Sequence, residues 1–393
     1  MLDSIVIVAA KRTPIGAFQG QFAGVSAPQL GSAAVQGALA SVPALREQID
    51  EAIFGCCLMA GLKQAPARQV VLGAGLPDSV PATTLTKMCG SAMKATMLVH
   101  DMLLAGSCTV GLAGGIESMT NAPFVQTKAR SGYRLGHGQL FDHMFLDGLE
   151  DAYEGRLMGH FADQVASELK IGRQRQDDYA AESVRRAQQS VANGAFRAEI
   201  APVSVPTRKG EVQVSEDETP GQCDLAKIPL LKPAFIKDGS VTPANSSSIS
   251  DGAAALILMR ESQARAQGIA PLARLVAHAT HAQHPSLFAT APVPAIRRVL
   301  DKAGWSIGDV DLFEINEAFA VVALHAIDAL GLSHDSVNIN GGACALGHPV
   351  GSTGARIIVT LLHALRARGL RKGVASLCLG GGEATATAIE IIA

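Results

Sequence analysis

A faint internal duplication is the feature that most limits how this chain can fold. Each half contains a buried strand, a proline-led helix, a second strand, a run of small residues opening a long apolar helix, and a strand followed by glycines. These segments lie at 4–10, after Pro28, at 49–55, 89–106 and 110–118, and again at 273–279, after Pro292, at 310–316, 347–365 and 374–384. Such alternation predicts an α/β fold with mixed or parallel sheets covered by helices. Both long helices are apolar nearly all round, so we expect them to lie between layers.

The segment between the two halves differs in character. Residues 121–250 contain polar, loop-rich stretches such as "TKARSGYRLGHGQ" and "KDGSVTPANSSS". We therefore predict an N-terminal core half at 1–120, completed by about 251–270, an inserted loop domain at 121–250, and a C-terminal core half at 271–393. We expect the insert to cover a site at the junction of the halves or to bind a long substrate.

Charge and cysteine content narrow the class of protein. The chain of 393 residues carries 33 Lys and Arg against 35 Asp and Glu, so we expect neither a nucleic-acid nor a membrane partner. Residues 1–10, "MLDSIVIVAA", lack a basic n-region and are better explained as a first strand than as a signal peptide. The 7 cysteines are odd in number and scattered, which favours free thiols in a reducing, cytoplasmic location.

Cys89 and His348 occupy matching positions, each before a long apolar helix. A thiol at a helix N-terminus is expected to have a lowered pKa and nucleophilic character. The imidazole could act as a base or donate to a developing oxyanion, with Pro349 suited to the first turn of the following helix. The glycines around His348 would let a bound group approach closely. Alternatively, Cys89 is a small buried residue and His348 a hydrogen-bonded core residue.

Cys378 and Asn316 end two other predicted strands. Cys378 precedes a glycine cluster, at the kind of strand end where α/β folds hold ligands and backbone N–H groups bind oxyanions. The Asn316 amide could hold a water or a substrate carbonyl. The alternatives are a packed thiol and a turn or helix cap, respectively.

Two other kinds of site are not supported by the residue spacing. Cys89, Cys344, His348 and Cys378 lack the paired C-x₂₋₄-C spacing of structural zinc sites, and we expect no metal. The glycine run at 347–354 matches neither a nucleotide-binding G-x-G-x-x-G nor a G-K-[S/T] loop.

Taken together, the motifs resemble the thiolase family in order and spacing, over essentially the whole chain. The similarity is to the bacterial acetyl-CoA acetyltransferase, or acetoacetyl-CoA thiolase, branch. It implies a thiolase-like five-layered α-β-α-β-α core of two similar halves with an inserted loop domain, in a dimer or tetramer. The motifs that carry the resemblance are "TKMCGSAMKA", "NEAFA", "GGACALGHPVGSTG" and "CLGGG", supported by "AAKRTPIGAF", "AGGIESMTNAP" and "NSSSISDGAAA".

The resemblance implies reversible condensation of two acetyl-CoA molecules to acetoacetyl-CoA and CoA through an acyl-cysteine. Cys89 would be the nucleophile, His348 its base, and Cys378 the second acid/base. Asn316 would hold a water that forms one oxyanion hole with His348, and the N–H groups of Cys89 and Gly380 would form the other. Coenzyme A is then substrate and product, and no cofactor is expected.

The resemblance also implies a set of substrate-binding residues. Met158, Phe235 and Ser247 would contact pantetheine, and Phe319 would lie near the thioester. The full expected set is Leu149, Met158, Phe235, Ser247, Phe288, Ala318 and Phe319.

Two positions depart from the family's common pattern. Leu157 stands where many members have His, and Phe288 where they often have Met, so a bulkier acyl pocket that accepts branched or longer substrates is conceivable. Cys344 is expected only to pack. The alternatives are a degradative 3-ketoacyl-CoA thiolase of broad chain length and a non-catalytic CoA- or lipid-binding protein on the same scaffold.

Overall fold

The computed structural model describes residues 3–392; residues 1 and 2 of the N-terminal stretch and residue 393 lie outside the described residues. The strands are β1 Ile5–Arg12, β2 Gly16–Ala17, β3 Glu51–Gly55, β4 Ala82–Leu85, β5 Val110–Ser118, β6 Phe124–Val125, β7 Phe141–Asp142, β8 Val203–Thr207, β9 Gly210–Val214, β10 Ser250–Arg260, β11 Ala273–Ala282, β12 Leu312–Ile315, β13 Lys372–Leu379 and β14 Glu383–Ile391. The helices are α1 Ala27–Ser41, α2 Pro66–Gly73, α3 Ser91–Ala105, α4 Met158–Glu168, α5 Arg173–Asn193, α6 Thr219–Gln222, α7 Glu261–Ala266, α8 Pro292–Ala303, α9 Ala320–Leu330, α10 Ala343–Leu346 and α11 Thr353–Arg368.

The main sheet shows the duplication directly. In one half, β3 runs parallel to β5, β5 antiparallel to β10, and β10 antiparallel to β1. In the other half, β12 runs parallel to β13, β13 antiparallel to β14, and β14 antiparallel to β11. The strand order is thus the same in both halves, with β4 added at the outer edge of the first.

The halves are joined through their equivalent first strands. Val6 of β1 pairs with Arg274 of β11, and Ile7 pairs with Ala273, in antiparallel register. This short pairing makes a single 10-stranded sheet out of two repeated units.

Side chains on the two faces of the strands belong to different cores. Along β1, Val6 and Val8 pack with α1 and α2, whereas Ile5 and Ile7 pack in the core that holds α3 and α11. A third core joins α8 and α9 to the second half of the sheet. Burial on both faces matches the continuous apolar runs of these strands. The resulting order of layers is helix, first half of the sheet, helix, second half of the sheet, helix, which confirms the expected five-layered α/β fold.

The two long apolar helices form the middle layer. α3 and α11 contact each other, and nearly all of α11 is buried. Their predicted burial is therefore confirmed, but the predicted start of the second helix is wrong. Pro349 lies before α11, in a turn where its carbonyl accepts from the Ser352 and Thr353 backbone N–H groups. The helix begins only after this turn, at Thr353.

The proposed boundaries of the inserted loop domain stay a prediction. Residues 121–250 contain α4, α5 and α6 together with two small hairpins, β6–β7 and β8–β9. Within residues 3–392, no helix is both long enough and apolar enough to cross a membrane.

Candidate active site

A pocket of about 400 Å³ is lined by residues of both halves of the sheet and of the segment 121–250, the predicted insert. Cys89 reaches it from the first half, and His348 and Cys378 reach it from the second. The insert contributes Met158 and Phe235 to the wall. The pocket lies where the sequence analysis expects a site, and its function as one stays a prediction.

A strained turn immediately before α3 holds Cys89. Met88, immediately before it, has a positive φ of 48°, a conformation that non-glycine residues adopt rarely. Ser91 holds this turn, because its hydroxyl donates to the Met88 carbonyl at 2.6 Å and accepts from the Lys87 N–H at 2.8 Å. The turn therefore presents the thiol to the pocket in a defined position.

The pKa of the Cys89 thiol shifts in the opposite direction from the one that a position at a helix N-terminus predicts. Burial raises the pKa of the thiol to about 12, and the charge of Glu117 acts in the same direction. The backbone N–H groups of Gly380 and of Cys89 itself oppose this rise by hydrogen bonding to the sulfur. The expectation of a lowered thiol pKa is wrong, because removal from water outweighs the helix end.

His348 is a neutral imidazole with one engaged and one free nitrogen. Its Nδ1 lies 2.7 Å from the hydroxyl of Thr353. That hydroxyl donates its only hydrogen to the Pro349 carbonyl at 2.9 Å, so it must accept from Nδ1–H. The remaining nitrogen, Nε2, is buried and has no hydrogen-bond partner among residues 3–392. The lone pair of the imidazole is thus on Nε2, and burial lowers the His348 pKa to about 3.

Cys378 lies near the end of β13 and is almost fully buried, with 1% of its surface exposed. Burial raises the pKa of its thiol well above the usual range, and the charge of Cys89 acts in the same direction. Both cysteines line the same pocket. The chain then turns through Gly381 and Gly382, both with positive φ. In this turn, a Cβ on Gly382 would lie 2.5 Å from the Gln283 carbonyl oxygen.

Asn316 is the one predicted catalytic residue that does not line the pocket. It follows β12, where its backbone N–H donates to the Ser376 carbonyl at 3.0 Å. Its Oδ1 accepts from Arg356 at 3.4 Å, while its Nδ2 is buried without a partner among the described residues. The amide therefore retains a free donor, and its suggested role in holding a water stays a prediction.

The rest of the pocket is mostly apolar and includes every predicted substrate-binding residue. Phe319 makes edge-on contacts with Phe235 and Phe288, with ring centroids 6.0 Å apart in each pair. The Ser247 hydroxyl donates to the Ala318 carbonyl at 3.1 Å. The predicted residues found in the wall are Leu149, Met158, Phe235, Ser247, Phe288, Ala318 and Phe319, and Leu157 lies beside them.

The glycines around His348 serve packing between protein segments. A Cβ on Gly347 would collide with the Ser250 hydroxyl, and one on Gly351 would lie 2.8 Å from Glu117 Oε2. A Cβ on Gly354 would lie 2.5 Å from the Met93 backbone nitrogen. Gly354 therefore lets α11 approach α3, and the other two let the preceding segment approach β10 and β5. The expectation that they make room for a bound group is wrong at these three positions.

Glu117 and Thr353 were missed by the sequence reasoning. Glu117, fully buried at the end of β5, accepts from the backbone N–H groups of Cys57, Leu58 and Gly351 at 2.8 to 3.1 Å. It thereby ties the loop after β3 to the His348 segment. A lone acidic residue in the apolar strand "VGLAGGIES" is the signal that could have indicated a buried hydrogen-bonding role.

Cys344, in contrast, packs as expected. It is buried, its N–H donates to Glu317 Oε2 at 3.0 Å, and it does not line the pocket.

The fold and the pocket together define a protein of two similar α/β halves, with two thiols and an imidazole in the pocket between them. The models of the thiolase N-terminal and C-terminal domains match residues 5–262 and 269–391, and the chain belongs to the thiolase family.

Named relatives match over the full length. The chain is 46% identical over 387 residues to an acetyl-CoA acetyltransferase of Pseudomonas aeruginosa, covering 98% of each protein. It is 46% identical over 391 residues to an acetyl-CoA acetyltransferase of Escherichia coli K12, covering 99% of each. The crystal structure of the Bacillus anthracis acetyl-CoA acetyltransferase superimposes with a TM-score of 0.97 at 40% identity, over 100% of this chain and 99% of that one. The resemblance seen in the motifs is thus confirmed.

Proposed function

We propose that this protein is an acetyl-CoA C-acetyltransferase, which reversibly condenses two acetyl-CoA molecules to acetoacetyl-CoA and CoA. The observation that carries the proposal is the convergence of Cys89, His348 and Cys378 on one apolar pocket at the junction of the halves. The names of the full-length relatives support acetyl-CoA as the substrate.

In the first half-reaction, the Cys89 sulfur attacks the thioester carbonyl while its proton passes to Nε2 of His348. Because the thiol pKa is raised and the imidazole pKa is lowered, the resting pair is neutral. The proton therefore moves as the bond to carbon forms, rather than in advance. CoA leaves as the thiol, taking its proton from Cys378, and the acetyl group remains on Cys89 while His348 keeps the Cys89 proton.

In the second half-reaction, the Cys378 thiolate takes an α-proton from a second acetyl-CoA, and the resulting enolate attacks the acetyl carbonyl carbon on Cys89. The bond between that carbon and the Cys89 sulfur breaks, acetoacetyl-CoA leaves, and the Cys89 thiolate recovers its proton from His348. Negative charge now develops on a different oxygen. Cys89 and Gly380 supply N–H donors on one side, and His348 with a water held by Asn316 supplies donors on the other. Losing one such donor typically costs about 2.7–4 kcal/mol of barrier. No metal or redox cofactor takes part in this scheme.

Labelling with acetyl-CoA tests the nucleophile. Intact wild-type protein should gain one acetyl group, and Cys89→Ala should gain none. Cys344→Ala is the matched control, since Cys344 is buried outside the pocket, and it should label like the wild type. Absence of label in the wild type would favour a non-catalytic CoA-binding protein, and label that survives Cys89→Ala would remove Cys89 as the nucleophile.

A degradative thiolase of broad chain length is the second candidate. The apolar wall formed by Leu157, Phe288 and Phe319 favours it, because no polar group there opposes a longer acyl chain. Initial rates of thiolysis on acetoacetyl-, 3-ketohexanoyl- and 3-ketodecanoyl-CoA distinguish the two. The acetyl-CoA assignment predicts the highest rate on acetoacetyl-CoA, and a clear preference for the longest substrate would overturn it.

We also propose a homo-oligomer, a dimer or tetramer, working in the cytoplasm in fatty acid metabolism. Support for assembly comes from the segment between β6 and β7, where Leu135 is 95% exposed and Leu140 is 64% exposed. Large apolar side chains on an exposed hairpin are suited to contact with a second copy of the chain. Sedimentation of the wild type beside Leu135→Ser/Leu140→Ser tests this: the assembly should weaken in the variant.

A further inference from the structure

His100, Asp101 and His278 form a polar cluster that takes no part in the pocket. His100 and Asp101 lie in the second half of α3, and His278 lies in β11. One carboxylate oxygen of Asp101 contacts both rings, 3.1 Å from His100 Nδ1 and 2.9 Å from His278 Nε2. The two rings meet edge to face, with centroids 5.1 Å apart. Among residues 3–392, this is the one group of three His, Cys, Asp or Glu side chains whose ligand atoms all lie within 4.8 Å of one another.

These separations suit a small metal ion. Imidazole nitrogens and carboxylate oxygens bind zinc at about 2.0–2.2 Å, which places tetrahedral ligand atoms about 3.3–3.5 Å apart. The two contacts of Asp101 are already near this spacing. Small rotations of the three side chains would therefore replace the shared hydrogen bonds by bonds to a central ion.

The surroundings of the cluster also suit a cation. The Asp101 carboxylate gives the group a negative charge beside the two imidazoles. Lys302 approaches only the backbone carbonyl of His278, at 3.0 Å. Asp101 is exposed, which leaves an open side for a water ligand.

We propose that His100, Asp101 and His278 bind one divalent transition-metal ion of the zinc type, with water completing the coordination. Two imidazoles and a carboxylate are ligands of this class. The ion would link α3, from the first half of the core, to β11, from the second, and so would stabilise the junction of the halves. The site is separate from catalysis and does not depend on the proposed function. The sequence reasoning missed it because His278 lies 177 residues from Asp101.

Binding of Co²⁺ and Zn²⁺ to the purified full-length protein tests the proposal. Metal is first removed with a chelator, and binding is then followed by calorimetry and, for Co²⁺, by the visible spectrum. We expect one ion per chain with nitrogen and oxygen ligands and no thiolate charge-transfer band, which distinguishes this site from the free cysteines. The thermal unfolding temperature should rise with metal concentration.

Three variants make the result specific. His278→Gln and Asp101→Asn should each weaken binding at least about 10-fold. His281→Gln is the matched control, because His281 lies in the same strand but contacts Gln283 instead, and it should bind like the wild type. Circular dichroism checks that each variant is folded. Equal binding by all four proteins, a thiolate band in the cobalt spectrum, or no binding by the wild type would each overturn the proposal.

Discussion

The imidazole Nδ1–H of His348 donates a hydrogen bond to the Thr353 hydroxyl across 2.7 Å, and that hydroxyl donates a hydrogen bond to the Pro349 carbonyl. Thr353 therefore selects the tautomer that leaves the Nε2 lone pair free. It acts on the chemistry only through His348, and so it is a positioning residue. The turn before α11 supplies the histidine, and the first residue of α11 supplies the group that orients it.

Replacing Thr353 by Val should lower kcat about 100-fold while leaving KM nearly unchanged, because the imidazole loses its tautomer and orientation. Thr353→Ser keeps the hydroxyl and should restore most of the rate. Steady-state kinetics across pH 6 to 9 check this, since a purely structural defect would not be rescued by Ser. A Val variant with wild-type kcat would show that His348 needs no such partner.

Cys378→Ala should still accept an acetyl group on Cys89 but should exchange the α-protons of acetyl-CoA about 10²- to 10⁴-fold more slowly. The reason is that only the second half-reaction needs a base at this position. Mass spectrometry of the labelled protein and deuterium exchange into acetyl-CoA measure the two steps separately. Cys108→Ala, a buried thiol outside the pocket, is the control and should change neither. Unchanged exchange in Cys378→Ala would contradict the assignment.

His348 should make the fold sensitive to acid. Its folded pKa is about 3, below the value of about 6.5 expected when unfolded, so the unfolded chain binds more protons between these values. The contribution of His348 to the free energy of unfolding is therefore fully present above the unfolded pKa. It falls as the pH drops, by about 2 kcal/mol between pH 7 and 5. Urea unfolding of wild type and His348→Asn at several pH values measures the effect, and the variant should lose less stability. His137→Gln, at an exposed position, should behave like the wild type. Identical pH dependence in His348→Asn would contradict the prediction.

Gly354→Ala should destabilise the protein by about 1–3 kcal/mol. The added methyl would lie 2.5 Å from the Met93 backbone nitrogen, so α3 and α11 would have to move apart. Gly24→Ala is the control, because a Cβ there meets nothing within 4 Å. Urea unfolding compares the two variants. Equal stability would mean that the helices can separate at no cost.

Much of the fold could be predicted because its signals are local and repeated. The strand predicted at 110–118 is β5 with the same bounds, and the segment 89–106 contains α3. The start of α11 was misplaced, because a proline also fits the turn that precedes a helix. The turn before α11 depends on a contact between distant parts of the chain, in which the Gly351 backbone N–H donates to the Glu117 carboxylate. The sequence alone does not show this contact.

Less of the site could be predicted in detail. The motif positions indicated which thiols and which imidazole meet, but the sign of the Cys89 pKa shift depends on how completely the pocket excludes water. The sequence did not indicate the hydrogen-bond partner of His348 either. A threonine five residues after a histidine has no fixed meaning until a turn and a carbonyl place its hydroxyl against the ring.

The close approach of Gly354 to Met93 brings the first turns of α3 and α11 side by side. Each helix start carries a partial positive charge of about half a unit, so two like poles lie together in an apolar setting. This arrangement is repulsive by itself, and negative charge that develops nearby would be attracted to both helix starts.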